Sequence, residues 1–472
     1  AAERYASNSV LSQGRWVKIG ITEDGVYRLT AADLRWMGFN DPSRLKLYGY
    51  GGHVQDEVID ADTDFDDLEE VPLYRDERGL LFFGKGLISW SATDRRGRAT
   101  HRVNTFAKQA CYFLTEGDSP RTIEKAAVSG SPQKNLDYTP ANVLYKKEEY
   151  AWYQSGRNFY ESANYASSNS RTYQLPVVDP VASAGGSLKV SFTAHTTKDE
   201  GDSYVTPTVD GVKLSAMRIS WSGEYDAAKE GTQTYTLNTL HEGTTGTQVT
   251  LVSTAGVDAR LGYLELCYRR QLKMRDAFLY IRHTETAPSN LVIDANGRSG
   301  LKLWCLGRRG NPMTEYQGTW SGSTYTVPVS DPTLEYVAVD VNADFPSPSY
   351  MGEVSNQNLH ATSATDMVII IPASGKLYAQ AERLAEAHRS VDGLRVQIVR
   401  ADQIYNEFSS GTPDATAYRR FMKMLYDRAA TDADMPRYLL LFGDGMWDNR
   451  MITADTRGLN PDDYLLCYES EN

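Results

Sequence analysis

Cysteine is scarce in this sequence: four among 472 residues, Cys111, Cys267, Cys305 and Cys467. None falls in a CxxC spacing, so neither a disulfide scaffold nor a structural zinc ribbon is written here, and the redox compartment stays open. No apolar run approaches the roughly 18 residues that a membrane-spanning helix needs. Positive charge is in the minority, 49 Lys and Arg against 61 Asp and Glu, for a formal net charge of -12. Nucleic-acid binders concentrate Lys and Arg to displace counterions, so this balance argues against nucleic acid as the partner. A fixed-period repeat and a long low-complexity tract are also missing, which excludes solenoids and disordered linkers as the main architecture.

What is present is aromatic and turn-rich. Thirty Tyr, eight Trp and 37 Gly, with aromatics often beside turn-formers, point to β-structure exposed outside the cytoplasm. The chain opens "AAERYASNSV" without an initiator Met, small residues of the kind left after a signal peptidase has cut. An exported protein is therefore expected, cell-surface or outer-membrane associated. Its length exceeds what one hydrophobic core usually supports, so about two to four domains are expected.

The spacing predicts a multidomain chain of three parts. Residues 1–125 read as short strands and turns: "RWVKIGITEDGVYRLT" predicts a hairpin turning on Asp24-Gly25, and "DLRWMGF" a short helix. Residues 126–361 alternate apolar and polar residues, as in "SLKVSFTAHT" and "GTQVTLVST", between turn-formers, the pattern of a β-sandwich or jelly roll. From residue 362 the grammar changes. "DMVIIIP" is a continuous β-branched run fit for a central parallel strand, Ser374 can cap a helix with Leu377, Ala381, Leu384, Ala385 and His388 on one face, and "LRVQIV", a helix after Pro413 and "RYLLLF" come next. Strand, helix, strand, helix, strand predicts right-handed crossovers and a parallel sheet over 362–472.

Two acidic features invite chemistry. In "DADTDFDDLEE", Asp60, Asp62 and Asp64 match the first ligand positions of a calcium loop, but Phe65 stands where Gly is required and Val71 where Glu is. A solvated run of carboxylates is the expectation, with no cofactor and no metal; structural calcium has only this broken motif behind it. In "YLLLFGDGMWDNR", Asp444 lies at the carboxyl end of a parallel strand, where reactive groups of open α/β sheets gather. Gly443 and Gly445 would let the backbone turn sharply, and Asp444 would cap the next helix or loop or face a ligand. Asp448 and Asn449 carry the same two readings. Asp444 and Asp448 are the candidate active-site edge.

These residues resemble a known family. "VIIIPASGKLYAQAERLAEAHRS", "IYNEFSSG" and the strand running into Gly-Asp look like the opening of a gingipain-type cysteine peptidase domain, the first half of a three-layer, caspase-like α/β fold. "SVLSQGRWVKIGITEDGVYRLTAADLRWMGF", "LYGYGG" and "CYFLTEG" further resemble the PorU-like sortases of the type IX secretion system. The resemblance implies a cell-surface cysteine endopeptidase and transpeptidase. Such an enzyme removes the C-terminal signal domain of secreted cargo and joins the cargo to anionic lipopolysaccharide, within an outer-membrane attachment complex with PorV, PorQ and PorZ. It also implies thiolate attack, an acyl-enzyme and resolution by an amine.

The family places its catalytic His in a His-Gly pair and its Cys in an Ala-Cys pair, both after the Gly-Asp block. None of the seven histidines (His53, His101, His195, His241, His283, His360, His388) precedes Gly. Cys467 follows Leu466, and Cys111, although it follows Ala110, sits in the N-terminal β-region. No catalytic residue is therefore expected within 1–472; the dyad is expected beyond it, since "YESEN" brings no closing element, and this chain alone is expected to be inactive. The competing class is a non-catalytic surface binding or adhesion module with a structural α/β remnant. There the aromatics of "YAWYQSGRNFYESANY" could stack on sugars, or Trp152, Tyr153, Phe159 and Tyr160 could pack a domain junction.

Overall fold

The computed structural model describes residues 2–154 and 156–469; the end of the "YESEN" run lies outside them. Four layered units arise from the sequence pattern, three of them β. In the first, an antiparallel sheet runs in the order 349–354, 16–21, 110–116, 45–48, 70–71, faced by a three-stranded sheet of 25–29, 79–84 and 74–76. Both faces of Trp16–Ile21 are covered, so its alternation does not separate core from solvent; Trp16, Val17 and Ile19 are all buried. The hairpin expected at Asp24-Gly25 does not form. Trp16–Ile21 pairs with Ala110–Glu116 while Gly25–Leu29 pairs with Gly79–Gly84, so the turn passes the chain from one sheet to the other. The short helix is present as α1 (Ala31–Trp36), closed by a capping box between Thr30 and Asp33.

Residues 126–361, expected as one sandwich, build two units. The larger stacks the sheet 138–145, 258–271, 186–195, 229–237 on the sheet 170–175, 247–253, 203–209, 212–213, around Tyr165, Phe192, Leu251 and Leu264. The smaller is made from residues 124–136 and 278–340, with its own core around Leu291, Leu303, Val327 and Tyr336. The chain then returns to the first unit, where Ser349–Val354 becomes an edge strand beside Trp16–Ile21. This long-range pairing leaves no local signal in the sequence.

The last unit is the α/β layer. Val396–Arg400, Met367–Ile371 and Tyr438–Leu441 form a parallel sheet in that order, with Met367–Ile371 central and buried on both faces, as its β-branched run predicts. Burying four such residues, Val368 to Ile371, stabilises the layer by roughly 1.5–3 kcal/mol apiece. Helix α2 (Tyr378–Val391) places Ala381 and Ala385 against one face of the sheet. Helices α3 (Ala401–Phe408) and α4 (Thr416–Arg428) cover the other with Ile404, Phe408, Phe421 and Met424. Ser374 does not cap α2, which starts at Tyr378 without a side-chain cap; the Ser374 N–H instead donates to the Asp462 carbonyl at 2.8 Å.

Candidate functional site

The parallel strands end together, Met367–Ile371 at Pro372 and Tyr438–Leu441 at Phe442-Gly443-Asp444. Neither Gly443 nor Gly445 adopts the left-handed conformation, so the expected role of sharp turning gives way to a steric one. A Cβ at Gly443 would sit 2.9 Å from Pro372 Cγ, and one at Gly445 only 2.2 Å from Cys467 Sγ. Room for neighbouring chain is what the two glycines supply. Asp444 is exposed at this edge; its Oδ1 accepts from Gly445 N at 2.9 Å and its carbonyl from Leu465 N at 2.9 Å. The carbonyl bond stitches the turn to the short parallel pairing of Gly445–Met446 with Leu465–Leu466.

Asp448 occupies a different environment. It is fully buried, and its Oδ2 accepts from Ile452 N, Thr453 N, Thr453 Oγ1 and Thr456 Oγ1 at 2.6–3.0 Å. Burial opposes the charge, yet these four donors hold the carboxyl below the usual Asp range. Its Oδ1 has no partner among the described residues. Asn449 clamps Cys467 through both backbone groups, at 2.8 Å each. The structure thus separates the two aspartates, with Asp444 open at the strand ends and Asp448 committed to the adjoining loop.

Neither cysteine near the family's pattern is activated. Burial raises the Cys467 thiol, and the nearby Glu469 and Asp444 raise it further. Burial likewise raises Cys111 and Cys267, and pushes Cys305 up to about 11. Among the described residues no thiol hydrogen-bonds an imidazole; the Cys111 sulfur reaches the Gln109 carbonyl and Met351, and the Cys267 sulfur the backbone N–H and carbonyl of Ala99. Burial outweighs the few groups that favour a thiolate, such as Lys18 near Cys111 and the Met446 backbone near Cys467.

The strongest polar constellation lies where the first β unit meets the α/β layer. His360, fully buried, has Nδ1 2.6 Å from Glu407 Oε1 and Nε2 2.7 Å from Asp66 Oδ1. Glu407, also fully buried, accepts in addition from Gln357 Nε2, Leu359 N and His360 N at 2.7–2.9 Å. Burial works against an imidazolium, but the bonds to Asp66 and Glu407 outweigh it and raise His360 to about 9. Asp67, behind Asp66, is pushed up to about 6 by burial and accepts from Ser9 Oγ and Val10 N. Donor atoms of Asp67, His360 and Glu407 lie within 4.8 Å of one another, a spacing that could hold a cation. Both imidazole nitrogens already face carboxylates, so a metal would have to displace His360's proton.

The acidic run is therefore not the solvated stretch expected of it. Asp60 and Asp62 are exposed, but Asp64 forms a largely buried ion pair with Arg420 of α4 at 2.9 Å, and Asp66 and Asp67 turn inward. The "IYNEFSSG" motif has a matching role. Ser410, at φ 53°, donates through Oγ to the Cys111 carbonyl at 2.8 Å and accepts from Tyr50 N at 3.0 Å, while Gly411, at φ 70°, leaves space for the Phe113 ring. The signal for this seam was present in the sequence as Phe65 and Leu68 interrupting the aspartates, an apolar pattern that solvated runs lack. At the other junction Phe159 is buried and stacks on Trp447, whereas Tyr153 is exposed.

Comparison with known proteins bears on this architecture. Residues 360–471 match the model of Peptidase family C25. The solved structure of dimeric latent PorU from Porphyromonas gingivalis is 28% identical, with a TM-score of 0.85 over 98% of this chain. This chain spans 45% of that one. Eiger TNF from S. frugiperda and the insecticidal delta-endotoxin Cry8Ea1 from Bacillus thuringiensis are 10% identical, cover 28% and 47% of this chain and 93% and 41% of theirs, and at TM-scores of 0.16 and 0.18 carry no argument. No curated protein matches. The β units and the parallel layer thus share the multidomain fold of the latent PorU structure, and residues 360–471 of the α/β layer match Peptidase family C25.

Proposed function

We propose that this chain is the β scaffold and the leading half of the peptidase layer of a cell-surface cysteine transpeptidase. In this reading the enzyme cuts the C-terminal signal domain from type IX secreted cargo and passes the acyl group to an amine on anionic lipopolysaccharide, in company with PorV, PorQ and PorZ. The observation that carries it is the state of the sheet. Among the described residues Tyr438–Leu441 has one neighbour, Met367–Ile371, and leaves Leu439 and Leu441 45% and 47% exposed. An apolar, unpaired parallel strand is what a continuing sheet would cover. Asp444 at its carboxyl end would then border the reaction centre.

The chain's own contribution is positional. Gly443 and Gly445 leave room for Pro372 and Cys467, Asn449 clamps residue 467, and the His360 seam ties the layer to the first β unit, so the strand ends are held on the scaffold. Thiol and imidazole would be supplied from sequence beyond residue 472, the thiol attacking the scissile carbonyl and the amine releasing the acyl-enzyme. The test is thiol-dependent cleavage of a cargo-derived peptide by the full-length gene product. Activity blocked by a thiol reagent that leaves all four cysteines of residues 1–472 unmodified supports the proposal. Full-length protein without thiol-dependent activity would favour the binding module instead.

A further inference from the structure

A cleft of about 380 Å³ opens where the first β unit, the large sandwich and the α/β layer meet. Its walls carry an unusual set of nitrogen donors: His101 and Arg102 from the first unit, and Lys146 and Arg157 from the sandwich, beside Tyr263 and Glu230. Most of these charges are satisfied from within. Arg102 pairs with Asp56 at 2.6 Å, Arg157 with Glu57 at 3.2 Å and the Tyr468 hydroxyl at 2.8 Å, and Glu230 accepts from Ser191 Oγ at 2.6 Å.

Lys146 is the exception. Among the described residues its ammonium has neither a hydrogen-bond acceptor nor an ion-pair partner; the aromatic face of Tyr263 lies 5.6 Å away. Burial holds it below the usual Lys range, with Glu148, Glu230 and Glu265 opposing and Arg450 reinforcing, and Glu148 is itself committed to Arg450 by two bonds of 3.0 and 2.8 Å. A fixed imidazole packs against the same Tyr263 ring and lines the same cleft. His101 Nδ1 is held by the buried Glu265 carboxylate, and the ring packs edge-on against Tyr263 at 4.6 Å. Nε2 is thereby left for the cleft, with the ring orientation fixed by Glu265.

The geometry points to a second binding site in this cleft, for an oxyanion: a carboxylate or phosphate group seated between Lys146 Nζ and His101 Nε2. An anion would give the Lys146 ammonium the hydrogen-bonded partner it lacks among the described residues, and charge-assisted bonds of this kind are the strong ones. The site does not depend on peptidase activity, so it can fail or stand independently of the proposed reaction.

The experiment uses residues 1–472. Thermal unfolding is followed with inorganic phosphate against chloride at matched ionic strength, then with galacturonate and glucose 1-phosphate, in wild type and in Lys146→Met and Lys146→Arg. The expected result is a rise in Tm with phosphate that Lys146→Met loses and Lys146→Arg keeps. A saccharide acid binding about tenfold tighter than the free ion assigns the source to a glycan, and equal affinity assigns it to the free ion. Equal shifts in wild type and Lys146→Met, or no shift with any of the three anions, overturn the proposal. Should Lys146→Met not fold, wild-type protein is treated with pyridoxal 5′-phosphate and borohydride. Labelling at Lys146 that phosphate suppresses supports the site; labelling elsewhere, or labelling that phosphate leaves unchanged, overturns it.

Discussion

His360 and Glu407 lie 2.6 Å apart with both side chains fully buried, and the imidazole's other nitrogen reaches across to Asp66 of the first β unit. A protonated imidazole, donating one N–H to each carboxylate, thus joins residues 360–471 to their scaffold.

That protonation makes the seam pH-dependent. Folded, His360 titrates near 9 against an ordinary 6.5, so the folded state holds the proton more tightly. The stabilisation is fully present below pH 6.5 and is lost as pH rises toward 9. Asp67 acts in the same sense: its folded value near 6 lies above the ordinary 3.8, so protonation as pH falls favours the folded form. Chemical denaturation between pH 6 and 9 is expected to show a loss of roughly 3 kcal/mol, and His360→Gln should flatten that slope. A wild-type slope that survives in His360→Gln would contradict this.

Glu407→Ala is expected to cost about 3–5 kcal/mol, because it strands a buried imidazolium and three further donors. Arg420→Ala, which breaks the pair with Asp64 and a bond to the Phe408 carbonyl, should fall at or below the low end of that range. Denaturant midpoints at pH 7 measure both, and costs below about 1 kcal/mol would mean that the seam is not a stabilising contact.

Much of this layer was legible in the sequence, and the reasons differ by element. Continuous β-branched residues in Val368–Ile371 could only be a strand covered on both faces, and they are one. Local pattern failed where tertiary pairing decided the outcome. Asp24-Gly25 carries a hairpin signal, yet its flanking strands join different sheets; Ser349–Val354 returns to a unit more than two hundred residues behind it. The exposed Asp444 is legible from strand position alone. The His360 seam is legible only in part: Phe65 and Leu68 mark the acidic run as inward-turning, but His360, Glu407 and Asp66 come from two units and are adjacent only in space.

Gly445→Ala should destabilise by about 1–3 kcal/mol, since the new methyl would sit 2.2 Å from Cys467 Sγ. Adding Cys467→Ala removes the sulfur and should recover most of the loss. A double-mutant cycle tests the contact directly, and simple additivity would contradict it.

The four thiols should alkylate slowly at neutral pH in residues 1–472, because burial raises every one. Cys111 and Cys267, almost wholly buried, should be slowest, as timed iodoacetamide labelling with peptide mass analysis would show. Fast labelling at any of the four would overturn the assignment of these cysteines as packed groups.

The central claim is that this layer serves a thiol outside these residues. The most direct measurement is site-mapped thiol inactivation of the full-length gene product during cleavage of a cargo-derived peptide. The account predicts that one label per molecule abolishes cleavage and maps outside residues 1–472. An inactivating label on Cys111, Cys267, Cys305 or Cys467 would contradict it.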